Sequence, residues 1–116
     1  MKIEVKDKKL KAALEDEALC QRRYGADMAK KIGVRVASLA AAQSLHVFWP
    51  PFSRPERCHE LQGDRKGTFS MDLVHPFRLL FKGLAIPQLS PKETDEQARW
   101  KSIDAIEIVG IEDTHG

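Results

Sequence analysis

Four histidines, His46, His59, His75 and His115, are the side chains of this sequence best suited to moving protons near neutral pH. His59 begins the run His59-Glu60-Leu61-Gln62-Gly63-Asp64-Arg65-Lys66-Gly67, and His115 stands two residues after Asp113. On a strand, Asp113 and His115 point to one side. Two imidazoles can act as base and acid in one turnover, while an aspartate orients an imidazole or supports its charged form. Arg78 could hold a phosphate bidentately and offset charge that grows in a transition state. Plainer roles compete. His46 sits in an aromatic connector and His75 beside a proline turn, where surface or capping duty suffices. Arg78 can pair with Asp72 across neighbouring strands, and an Asp-x-His stretch can be a frayed polar end.

Other chemistries lack their residues. Cys58 and His59 are adjacent and Cys20 is remote, so no zinc-finger or metalloprotease spacing exists and no metal or other cofactor is expected. The run 63–67 lacks the length and the Lys-Ser/Thr ending of a phosphate loop, and no nucleophile elbow is present. Two distant cysteines argue against a disulfide-built fold and for a reduced, cytoplasmic setting. No apolar run approaches the ~18 residues a membrane span needs, and the charged start, Met1-Lys2-Ile3-Glu4-Val5-Lys6, is unlike a signal peptide.

The elements that must carry these groups fit one domain over residues 1–116, with 42% hydrophobic and 31% charged residues. Residues 1–6 alternate Ile3 and Val5 with charges, a short half-buried strand. Asp7 can cap a following helix, and Glu15-Asp16-Glu17 leaves open one kinked helix or two short ones before Gly25. Residues 27–43 give the clearest helix: Met28, Ile32, Val36 and Leu39 form an apolar stripe, with Lys30, Lys31 and Arg35 assigned to the wetter side. Gly33 inside it costs about 1 kcal/mol relative to Ala and suggests a neighbour that approaches closely.

Residues 44–56 carry Pro50, Pro51 and Pro55 among Phe48, Trp49 and Phe52, which reads as an irregular connector burying its aromatics at the core edge. Then the period becomes two. Residues 58–62, 68–74 and 77–82 read as an antiparallel meander, with 63–67 as a polar turn whose glycines supply positive φ. Residues 83–102 form an irregular excursion with a turn of helix near 92–100, and 103–111 suits a strand interior to the sheet.

The net charge of +2 is unevenly spread: residues 1–92 hold 17 Lys and Arg against 10 Asp and Glu, residues 93–116 hold 2 against 7. The basic part could meet a polyanion or an acidic protein, and the acidic end could mask it or shape a site.

The run Cys58-His59-Glu60-Leu61-Gln62-Gly63-Asp64-Arg65-Lys66-Gly67-Thr68-Phe69-Ser70, then Phe77-Arg78-Leu79-Leu80-Phe81 and Glu112-Asp113-Thr114-His115, resembles the HigB toxins of the RelE-like superfamily. The resemblance extends over almost the whole chain, because a helical hairpin before this core is also the family layout. It implies an α+β fold in which a helical hairpin packs on a twisted, mostly antiparallel sheet of four to five strands. It implies a toxin of a type II toxin–antitoxin system, a metal-independent endoribonuclease that cuts translated mRNA on the ribosome. The partner it implies is a helix-turn-helix (HigA-like) antitoxin, with operator DNA reached only through that complex.

Carried over by position, the active-site histidine falls on His59, the sheet arginine on Arg78, and the terminal acid and histidine on Asp113 and His115. Arg57, Arg65 and Lys66 are then expected to bind RNA backbone. Two positions depart from the pattern: Thr114 stands where the family has tyrosine, and Gln62 where it has lysine. Those two favour a non-catalytic module that kept the fold and acts as antitoxin partner and co-repressor; His59, Arg78, Asp113 and His115 favour catalysis.

Overall fold

Asp7 ends the first extended segment by accepting a bond from the Leu10 amide at 2.9 Å, and a helix begins there. The computed structural model describes residues 1–84 and 95–113. In chain order these are β1 (Lys2–Glu4), α1 (Lys8–Glu15), α2 (Glu17–Tyr24), α3 (Ala26–Ala41), β2 (His59–Glu60), β3 (Thr68–Asp72), β4 (Phe77–Gly83), α4 (Glu96–Ser102) and β5 (Ala105–Asp113). The architecture is α+β, as the sequence implies. Short 3₁₀ turns occupy Leu45–Phe48 and Gly63–Arg65.

The choice between one helix and two is settled by Asp16. Its carboxylate accepts from the Ala18 and Leu19 amides, which caps α2, while its own amide still closes α1 onto Ala12. Gly25, at φ +87°, then links α2 to α3, a backbone state that favours glycine.

The sheet order is β1-β5-β4-β3-β2. β1 runs parallel to β5, and every other pair is antiparallel. β5 is therefore interior, as its apolar composition predicts. Phe69, Met71, Leu79, Phe81, Ile106 and Ile108 share one buried cluster with Leu10, Ile32, Leu39 and Trp100, so α1, α3 and α4 pack on one face. On that side Phe69 stacks on Phe81 at 5.7 Å and meets Trp100 edge-on at 5.6 Å.

Three expectations need correction. Arg35 is not on the wet side: it is 4% exposed, its Nε donating to the Asp72 carbonyl at 2.8 Å and its Nη2 to the Pro55 carbonyl at 3.3 Å. Gly33 meets no approaching neighbour; a Cβ there would stand in open space. Phe52 is not buried at the core edge but 51% exposed, while Phe48 and Trp49 do turn inward.

Candidate functional site

Strand register decides which side chains share a face, because directly paired residues point the same way and alternate residues point oppositely. His59 pairs with Ser70, Ser70 with Leu80, and Leu80 with Gly110. Two residues further along, Asp72 pairs with Arg78 and Arg78 with Glu112. The two rows lie about 7 Å apart on the face away from the helices. Leu80, fully buried yet outside the main apolar cluster, and Ser70, 1% exposed, form the middle of this face. Among the described residues the Ser70 hydroxyl finds no hydrogen-bond partner.

His59 is held on two sides. Its Nδ1 lies 2.9 Å from the Arg57 carbonyl, and a carbonyl can only accept. The neutral ring therefore keeps its proton on Nδ1 and carries its lone pair on Nε2. Phe52 stacks on the same imidazole, with centroids 4.1 Å apart and planes 18° from parallel, and the Arg57 guanidinium lies 5.4 Å from the Phe52 ring centre. Phe52 at φ +67° and Arg57 at φ +50° are both left-handed, a state costly for side chains of this bulk. The loop that strains its backbone twice is the loop that fixes His59.

The cations on this face meet carboxylates. Asp72 Oδ1 lies 3.0 Å from Arg78 Nε, and Asp72 Oδ2 lies 3.3 Å from Arg57 Nη1. Arg65 reaches from the 63–65 turn to grip Glu112 with two bonds of 2.8 and 3.3 Å. The plainer reading of Arg78, an ion pair with Asp72, is thus present, and it places Arg78 beside Arg57. Behind the turn, Glu60 points to the helix side, where it accepts from the Gly67 amide at 2.9 Å and from Arg99 at 3.0 Å.

Of the expected site residues, His59, Arg57 and Arg78 come together, with Arg65 joined through Glu112. Lys66 is exposed in the turn next to Arg65. Asp113 ends β5 opposite Phe77, whereas Glu112 is opposite Arg78. A bulge between Leu80 and Phe81 causes this: Ile108 pairs with Phe81 but Gly110 with Leu80, so the face reverses past Val109. His115 and Thr114 lie outside the described residues. Sequence reasoning missed Asp72 as the acid shared by two arginines, Glu112, Phe52 and Arg35. A signal existed for Arg35, which continues the 4-3-4 spacing of Met28, Ile32 and Leu39.

Burial pushes the Cys58 thiol far up, with the neighbouring Glu56 carboxylate adding to it, and burial also raises that of Cys20. No described helix is long and apolar enough to cross a membrane.

No family model matches the chain, and no curated protein matches it in sequence. Among solved structures, it is similar to a YoeB/ParE toxin from Agrobacterium tumefaciens. The TM-score is 0.57 at 15% identity, and the match covers 99% of this chain and 100% of that one. At that identity the likeness establishes a shared fold.

Proposed function

We propose that this chain is the toxin of a toxin–antitoxin pair and acts as a metal-independent endoribonuclease on ribosome-bound mRNA. The observation that carries the reading is His59, whose Nδ1 proton is committed to the Arg57 carbonyl while two arginines stand on its side of the sheet. In this reading Nε2 takes the proton of an RNA 2′-hydroxyl, whose oxygen bonds to the adjacent phosphorus. The P–O5′ bond breaks, leaving a 2′,3′-cyclic phosphate, and the departing oxygen takes a proton from His115 to become a 5′-hydroxyl. Arg78 offsets charge on the phosphoryl oxygens, Arg57, Arg65 and Lys66 bind backbone, and Asp113, which ends β5 on the Phe77 side, opposite to Glu112, orients His115. A net charge of only +2 means that the ribosome does much of the positioning. The partner that silences it is a helix-turn-helix antitoxin of the HigA kind, and operator DNA is met through that complex.

Expression of the chain alone tests this. Wild type should arrest growth and leave mRNA fragments with 2′,3′-cyclic ends; His59→Ala and Arg78→Ala should each lower cleavage about 100-fold or more. A wild-type chain that leaves both growth and mRNA intact removes the nuclease.

One observation favours a second reading, an antitoxin partner and co-repressor without catalysis: Arg57, Arg65 and Arg78 already have carboxylate partners. Under it, operator affinity of the antitoxin would rise with this chain present, and His59→Ala would change nothing else.

A further inference from the structure

Asp72 is hydrogen-bonded through its amide, its carbonyl and carboxylate Oδ2, while Oδ1, without a hydrogen bond, is in ion-pair contact only. Its amide donates to the Glu56 carbonyl at 2.8 Å, and its carbonyl accepts from the buried Arg35 at 2.8 Å. Its two carboxylate oxygens face Arg78 at 3.0 Å and Arg57 at 3.3 Å. Arg35 in turn holds the Pro55 carbonyl, so α3, the 53–57 loop and β3 are joined at one residue. Three guanidiniums thus meet at one residue, Arg57 and Arg78 on its carboxylate and Arg35 on its backbone carbonyl. The surplus is positive, and Arg57 and Arg78, the two on its carboxylate, remain partly exposed.

We infer that Asp72 is a positioning residue that holds Arg57 and Arg78 as a matched pair of cations for a single RNA phosphate beside His59. The inference rests on the ribonuclease reading above. Asp72 engages one nitrogen of each guanidinium, which carries five N–H donors, so each keeps donors for an anion. A carboxylate this close to a phosphate weakens its binding by like-charge repulsion. What it supplies in exchange is direction: two flexible side chains, one from a strained loop and one from a strand, are brought to a common point with their rotamers fixed. Affinity and rate should therefore respond to its charge in opposite senses. A merely structural ion pair would lower both.

The experiment uses the full chain as wild type, Asp72→Asn and Asp72→Glu, on ribosomes carrying an mRNA that is either cleavable or 2′-deoxy at the cleavage position. Asp72→Asn should bind the 2′-deoxy complex three- to tenfold more tightly, yet cleave the ribose form at least tenfold more slowly at saturation; Asp72→Glu should recover part of that rate. The Nε resonance of Arg78 should stand apart from the bulk arginine signals in wild type and move toward them in Asp72→Asn. Wild-type cleavage at saturation by Asp72→Asn overturns the inference, as does an unchanged Arg78 resonance or a parallel loss of affinity and rate. A wild type that binds the programmed ribosome without cutting removes the ribonuclease reading instead, and the affinity and resonance comparisons then still decide Asp72. A wild type that does not bind removes both.

Discussion

His59 owes its readiness to accept a proton to a backbone atom. The Arg57 carbonyl holds Nδ1–H, and Phe52 fixes the ring plane, so neither tautomer nor orientation has to be found during a reaction. Phe52 was expected to be buried because phenylalanine is costly to expose; the imidazole stack and the Arg57 cation take up part of its surface instead. Next to His59, Cys58 shows how abruptly the environment changes between alternate strand positions. Its thiol is fully buried and its pKa is raised above the ordinary 9.0. Well below pH 9 the thiol is protonated in folded and unfolded chains alike, so it creates no pH dependence there. As pH rises through 9 it ionises only when unfolded, and stability should fall. Urea unfolding between pH 8 and 10.5 should show that slope in wild type and a shallower one in Cys58→Ala.

Helix boundaries depend on single side chains. The acidic run 15–17 is compatible with a continuous helix, and only the bonds from the Ala18 and Leu19 amides to Asp16 show that the chain breaks and restarts there. Gly33 illustrates the opposite case, a residue without a structural demand on it. It lies inside α3 with helical backbone and open space at its Cβ position. Gly33→Ala should therefore stabilise the fold by about 0.5–1 kcal/mol, read as a higher urea midpoint at unchanged slope. For the strands, alternation fixed which residues of β3 and β4 share a side. In β5 the bulge interrupts the alternation, which is why isoleucines at 106, 108 and 111 can all belong to the helix side.

Across the whole molecule, the charge asymmetry folds back on itself. Glu112 and Glu107 of the acidic final stretch pair with Arg65 and Lys6 of the basic part, and the Arg65–Glu112 pair leaves the face around His59 less positive than its arginines alone imply. The exposed Arg65–Glu112 pair is weak and can yield to a phosphate. Arg35 is different, since it is buried and joins the helical layer to the far loop through two carbonyls. Arg35→Met keeps the apolar stem but strands both acceptors, and should cost about 2–3 kcal/mol in chemical denaturation. His59 should lose its fixed placement in the same variant, because the Pro55 carbonyl anchors the loop that carries Arg57.

Sequence by itself determined the order and kind of the elements, the α3 stripe, the meander and the polar turn, because helix and strand periodicities are local properties read within ten or so residues. It also singled out His59, Arg57 and Arg78 as chemistry-bearing. Only the tertiary structure decided that Asp72 is shared by two arginines, that Arg35 turns inward to meet it, and that Glu112 rather than Asp113 lies opposite Arg78. Those are long-range facts. For Asp72, Arg78 and Glu112 they follow from strand register and one bulge, and a slip of one residue in β3, β4 or β5 would carry that strand's member to the other side of the sheet.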